Sequence, residues 1–200
     1  MWPLSKPSEQ MIRAFLTRQE KAAFSYPEVG ATRGAAPAGY DADHNRVELG
    51  QGAAVFAAAC AALRRWVMFP RPWTEIVPAD APIQVGQTVA VLARAFGLWW
   101  LNAARIVYVL DEAGPPRRFG FAYGTLADHA ERGEERFSVE WHPDGRVWYD
   151  LFAFSRPRHP LARLAYPLAR RLQKRFQAES KTAMRRACEA APVTSARTSS

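Results

Sequence analysis

Phe119-Gly120-Phe121-Ala122-Tyr123-Gly124-Thr125-Leu126 is the stretch that decides the fold. Written as a β-strand, it carries Phe119, Phe121, Tyr123 and Thr125 on one face. The other face holds Gly120, Ala122 and Gly124, almost without side chains. A bare stripe of this kind lets a helix or a ligand lie directly against the backbone. A polar segment follows at once, Asp128-His129-Ala130-Glu131-Arg132-Gly133-Glu134-Glu135.

Working outward, Ala104–Leu110 precedes this strand across Asp111–Pro116, a turn composition. Glu134–Trp141 and Val147–Phe154 follow it, joined by His142-Pro143-Asp144-Gly145. There proline presets φ, aspartate caps its own turn and glycine supplies positive φ, which together specify a hairpin. Links this short force antiparallel pairing, because parallel neighbours need long crossovers. Upstream, residues 8–22 have the spacing of an amphipathic helix and Tyr26–Tyr40 reads as a surface loop. Arg46–Leu49 is a strand, Gly52–Trp66 an Ala-rich helix stopped by Pro70 and Pro72, and Trp73–Val77 and Gln87–Arg94 are strands.

The last element begins beyond Pro157 and Pro160. Leu161, Leu164, Ala165, Leu168, Leu172, Phe176, Ala183 and Ala187 form one apolar stripe at helical spacing. Arg163, Arg170, Lys174, Lys181 and Arg185 cluster on the opposite side, and Ala191–Ser200 reads as a disordered tail. The order implies an α+β fold, a curved antiparallel sheet of about seven strands wrapped on a long C-terminal helix. The bare stripe of Gly120, Ala122 and Gly124 is expected to receive that helix. Residues 1–23 are expected to form a helical extension, 24–190 a single domain and 191–200 the tail.

A chain of 200 residues is sized for one core, and 48% hydrophobic with 12% aromatic content excludes global disorder. No apolar run reaches the length of a membrane span, and the N-terminus lacks an apolar signal core. Cys60 and Cys188 are too few and too far apart for a disulfide framework or a zinc site. A cytoplasmic location is the expectation. The net charge of +8 is concentrated: ten basic residues and only Glu179 lie between Arg156 and Arg186, leaving the rest near neutrality.

Tyr26-Pro27-Glu28-Val29-Gly30, Leu49-Gly50-Gln51-Gly52 and Trp66-Val67-Met68-Phe69-Pro70 resemble an uncharacterised bacterial and plant family, the DUF1990 domain family. Phe119–Leu126 with His129, Gly133-Glu134-Glu135-Arg136-Phe137, Ala153-Phe154-Ser155-Arg156-Pro157 and the Pro167…Gln173 helix extend the resemblance over roughly residues 24–185. It brings no assigned activity. The order of elements is also similar to the helix-grip fold of the START/Bet v 1-like (SRPBCC) superfamily. That resemblance implies a hydrophobic cavity between the sheet and the C-terminal helix.

Leu49-Gly50-Gln51-Gly52-Ala53-Ala54-Val55 turns from strand to helix, but Val55 stands where a dinucleotide loop needs glycine. No nucleotide site follows. His129, Glu134 and Glu135 are the candidates for acid–base chemistry, since carboxylates beside an imidazole can make it a general base. The plainer reading is a solvated turn that keeps sheet edges from pairing. By alternation Glu135 shares a face with Phe137, Val139 and Trp141, so an inward carboxylate needs a partner such as Arg105 or His129. Asn102, Arg105, Tyr108 and Tyr123 are candidates to orient a ligand. Trp99, Trp100, Trp141, Trp148, Phe152 and Phe154 are candidate walls.

No metal-ligand spacing or cofactor motif is present in these residues. Ser155 lies in no hydrolase arrangement. The basic helix carries no nucleic-acid motif, and a weak contact with an anionic membrane is its alternative to simple solvation. The leading expectation is therefore non-enzymatic binding of a small hydrophobic or amphipathic ligand. An enzyme using a His/Glu pair at the cavity mouth and an interaction protein using the basic helix are the alternatives.

Overall fold

The computed structural model describes residues 5–158 and 166–189. Helix α1 spans Glu9–Gln19, with Ser8 as its N-cap accepting from the Met11 amide. A loop containing a single 3-10 turn, Ala31–Arg33, leads to β1, Asp41–Gln51. Helix α2, Gly52–Arg64, follows directly. Six strands come next: β2 Thr74–Val77, β3 Thr88–Ala95, β4 Leu98–Glu112, β5 Arg117–Thr125, β6 Glu131–Trp141 and β7 Arg146–Pro157. Helix α3, Tyr166–Glu189, is the last element. The expected start of this helix at residues 161–165, and the tail 191–200, lie outside the described residues.

Among the described residues, the sheet has seven strands in the order β1-β7-β6-β5-β4-β3-β2, every pair antiparallel. The α+β arrangement expected from the chain is the one observed. Three strands run longer than the pattern of hydrophobic residues suggests. β1 begins at Asp41, β4 at Leu98 and β6 at Glu131, inside the supposed polar turn.

The aromatic face of β5 builds the core. Phe119, Phe121 and Tyr123 pack with Phe137 and Val139 of β6, Tyr149 and Leu151 of β7, Phe56 and Leu63 of α2, and Met184 and Cys188 of α3. Phe69 bridges the layers, its ring 5.2 Å from that of Phe176 on α3 and 6.3 Å from that of Tyr123. At about 25 cal/mol per Å² of apolar surface removed from water, fully burying one such ring contributes roughly 1.5–3 kcal/mol.

The bare stripe faces the other way, so the expected seating of the C-terminal helix on it is corrected. A Cβ on Gly124 would overlap the Tyr26 hydroxyl, so this glycine admits the ring of an upstream loop. A Cβ on Gly120 would lie 2.7 Å from Ser138 Cα, so here β5 approaches its neighbour too closely for any side chain. Gly120→Ala is expected to lower stability by about 1–3 kcal/mol, because backbone cannot yield as a side-chain tip would. Urea unfolding midpoints of the two proteins would check this, and equal midpoints would refute the close approach. Helix α1 covers another part of the same outer face, Ile12 against Ala90 and Leu92, and Phe15 against Ala103 and Leu126.

The C-terminal helix is turned relative to its apolar stripe. Its buried residues are Gln177, Ser180, Met184 and Cys188, whereas Leu168 is exposed. At 100° per residue this is roughly a third of a turn away from the stripe's centre. Polar contacts to the sheet set the turn: Tyr149 Oη and Ser180 Oγ are 2.9 Å apart, Lys181 donates to Asn45, and Arg170 pairs with Asp43. Two residues of the supposed solvated basic face are thus tied to β1.

Candidate functional site

A cavity of about 220 Å³ lies between the inner sheet face and α3, where β5 ends and β6 begins. Phe69, Trp73, Val91, Leu172 and Phe176 supply its apolar side. Asn102, Tyr123, His129, Glu131, Glu135 and Gln173 supply its polar side. Alternation explains the polar side. Glu135 pairs across the ladder with Tyr123, and both side chains point inward, as do Phe137 and Phe121 two pairs further along.

Tyr123 Oη donates to Glu135 Oε2 over 2.7 Å. This hydroxyl takes the role expected of Arg105 or His129. A hydroxyl stabilises a carboxylate less than a cation does, and burial pushes Glu135 up to about 7, against the smaller opposing effect of Tyr123. Glu131 is also raised by burial, and it accepts from Gln173 Nε2 at 2.9 Å on both oxygens. His129 is pushed down to about 4, mainly by burial, with the nearby Arg158 charge acting in the same direction. Its Nδ1 accepts from the Glu131 amide at 3.0 Å, which assigns the neutral ring's proton to Nε2. Among the described residues, none of its hydrogen bonds goes to a carboxylate. Asn102 Oδ1 accepts from the Ala130 amide at 3.3 Å, holding the turn that presents His129.

The site residues named from the sequence divide between the two faces. Asn102, Tyr123, His129 and Glu135 come together at the cavity. Glu134 is next to Glu135 and therefore opposite: its carboxylate is buried on the outer face, accepting from Tyr26 Oη at 2.6 Å and from the amides of Gly30 and Thr32 at 2.7 and 3.0 Å. It also accepts from Thr32 Oγ1. A His129–Glu134 pair is thereby excluded.

Arg105 is likewise on the outer face. It donates to the carbonyls of Gln19, Glu20 and Ala22 and so closes the end of α1. Tyr108 meets Thr32 Oγ1 at 2.8 Å, with the Arg33 guanidinium stacked on its ring. Trp148 lies between Arg46 and Arg146. Trp141 does face inward, but it packs on Phe56 at the far end of β6, about 20 Å from Glu135. Of the expected aromatic walls, Trp99 packs against α1's cluster and Phe152 stacks beside His44 and Arg136.

Glu131 lies in the polar segment that the sequence marks for acid–base potential, whereas nothing in the sequence points to Gln173, Phe69 or Trp73 as site residues. Glu131 belongs to a segment polar on both faces, and Gln173 and Phe69 are brought in by elements distant in the chain. Among the described residues, no group of three or more His, Cys, Asp or Glu could hold a metal ion. Nor is any helix there long and apolar enough to cross a membrane.

Relatives share this sequence over most of its length. A UPF0548 protein of Deinococcus radiodurans is 40% identical over 189 residues, covering 88% of this chain and 92% of its own. A UPF0548 protein of Dictyostelium discoideum is 35% identical over 199 residues, covering 90% and 92%. Among solved structures, Ara h 8.0201 is similar with a TM-score of 0.45 and 14% identity, over 73% of this chain and 98% of that one. The family model described as a domain of unknown function, DUF1990, matches residues 25–183, and the chain belongs to that family.

Proposed function

We propose that the cavity under α3 binds one small amphipathic molecule, apolar end among Phe69, Leu172 and Phe176 and polar end against Glu131, Glu135 and His129. The observation that carries this reading is the cavity itself, apolar on one side and lined by half-buried polar groups on the other. Side chains that served only to fill a core would not leave the Glu135 carboxyl facing a hollow with a tyrosine hydroxyl, and no cation, as its partner. The volume of about 220 Å³ is below the roughly 300–1,000 Å³ usual for drug-sized ligands, so the guest is small. Native mass spectrometry of protein purified from its own host is expected to show a bound mass. Ala153→Phe, which fills the cavity from β7, should reduce its occupancy at least tenfold. Wild-type protein without any co-purified molecule would sink the proposal.

A second reading is favoured by Glu135 alone. A carboxyl near 7, hydrogen-bonded by Tyr123 and facing the cavity, is poised to give and take a proton. It predicts chemical change of the bound molecule, lost in Glu135→Gln. A guest recovered unaltered after prolonged incubation argues for binding alone.

A further inference from the structure

A second hollow, larger than the cavity, is a groove of about 720 Å³ between the end of α2, the segment leading into β2 and the C-terminal half of α3. Phe69 and Glu179 stand at its border with the segment that walls the cavity, since Trp73 Nε1 donates to Glu179 Oε2. Its floor is apolar: Trp66, Phe69 and Ile76 are buried there, with Ala183 and Ala187 from α3. These two alanines belong to the apolar stripe that the turn of α3 leaves off the sheet.

Three arginines line the groove, Arg65, Arg71 and Arg186. Among the described residues none of them forms an ion pair or a stacking contact. The two carboxylates of the groove are already engaged elsewhere, Glu75 by Lys6 at 2.6 Å and Glu179 by Arg175 at 2.7 Å. A smaller polar hollow on the outer face also holds three arginines, Arg33, Arg118 and Arg136. There Arg118 pairs with Glu112 and Glu140, Arg136 with Asp150, and Arg33 stacks on Tyr108. The outer hollow is compensated in place and the groove is not. Helix C-termini favour a cation, which accounts for Arg65 and Arg186 individually. Arg71 lies in no helix, and nothing local accounts for it.

We propose that this groove is a second binding site, for a soluble phosphate monoester bearing a short apolar group. A guanidinium matches pairs of phosphate oxygens, and three around one hollow suit a dianion with three terminal oxygens. The apolar floor takes the ester group. Concavity selects a single molecule over a bilayer, which would meet the convex side of α3 carrying Arg171 and Lys174 instead.

Phenyl phosphate tests this, titrated into the full chain in 50 mM NaCl and followed by calorimetry and backbone amide NMR. Binding is expected, with amide shifts centred on residues 65–71 and 183–187. Benzyl alcohol should leave these amides unmoved. Arg71→Ala should weaken binding about tenfold, and the triple Arg65→Ala/Arg71→Ala/Arg186→Ala variant at least that much again. All three side chains are exposed, so thermal midpoints should be unchanged and the loss attributable to the site. Failure of the wild type to bind at 10 mM would overturn the proposal. So would a triple variant within twofold of wild type. Retention on phosphatidylcholine vesicles containing phosphatidic acid that needs these three arginines would also overturn it, by assigning them to a membrane.

Discussion

Glu134→Ala is expected to cost about 4 kcal/mol, a large share of the roughly 5–15 kcal/mol that holds a domain folded. The carboxylate is 2% exposed and receives hydrogen bonds from Tyr26 Oη, the Gly30 and Thr32 amides and Thr32 Oγ1. Truncation leaves these donors buried with no acceptor, at about 1–3 kcal/mol for each that finds no water. Tyr26→Phe removes only one donor and should cost about 1 kcal/mol, because the carboxylate keeps its others. The double variant should fall short of the sum, since Glu134 and Tyr26 act on one another. Urea unfolding followed by tryptophan fluorescence would measure all three. A Glu134→Ala protein within 1 kcal/mol of wild type would mean that the loop 24–33 is not anchored by this residue.

That loop also shows where reading the chain succeeds and where it stops. The four-strand meander is legible because aromatic residues alternate with nearly bare ones along β5, and because the links at 111–116 and 142–145 have turn compositions too short for a crossover. The start of β1, Asp41-Ala42-Asp43-His44-Asn45, gives no such alternation, because polar partners occupy both faces. Asp43 pairs with Arg170 on α3, and His44 Nε2 meets Asp150 Oδ2 at 2.6 Å. Leu98-Trp99-Trp100 fails for the opposite reason, being apolar throughout, with α1 against one face. The bare stripe was visible in sequence, but not which neighbour it admits. A helix and a loop both require a small residue there, and only the Tyr26 contact at Gly124 distinguishes them. The alternation of Glu134 and Glu135 was legible too. Their different fates follow from what each face meets, four donors outside and a hollow with one tyrosine inside.

Glu135→Gln and His129→Gln are expected to tilt the pH dependence of stability in opposite directions, by about 3 kcal/mol each at the extremes. Glu135 sits at about 7 in the folded protein against an ordinary 4.5, so the folded state holds its proton longer than the unfolded chain. Its effect is absent below 4.5, and stability falls as pH rises toward 7. His129 sits at about 4 against an ordinary 6.5, so here the unfolded chain binds the proton first. Its effect is absent above 6.5, and stability falls as pH drops toward 4. Between 4.5 and 6.5 the folded protein carries one proton on Glu135, and the unfolded chain carries one on His129. The two contributions to the slope cancel. Glu135→Gln leaves the histidine uncancelled: stability should rise by about 1.4 kcal/mol per pH unit over that window, relative to wild type. At pH 8 this variant should be more stable than wild type by about 3 kcal/mol. His129→Gln should show the falling slope instead. Urea midpoints at pH 4.5, 5.5, 6.5 and 8 for the three proteins decide the matter, and parallel curves would refute both shifts. A half-buried carboxylate that destabilises the fold above neutrality has no structural reason to be there. A gain in stability on its removal, with loss of the co-purified molecule, would mark Glu135 as kept for the guest.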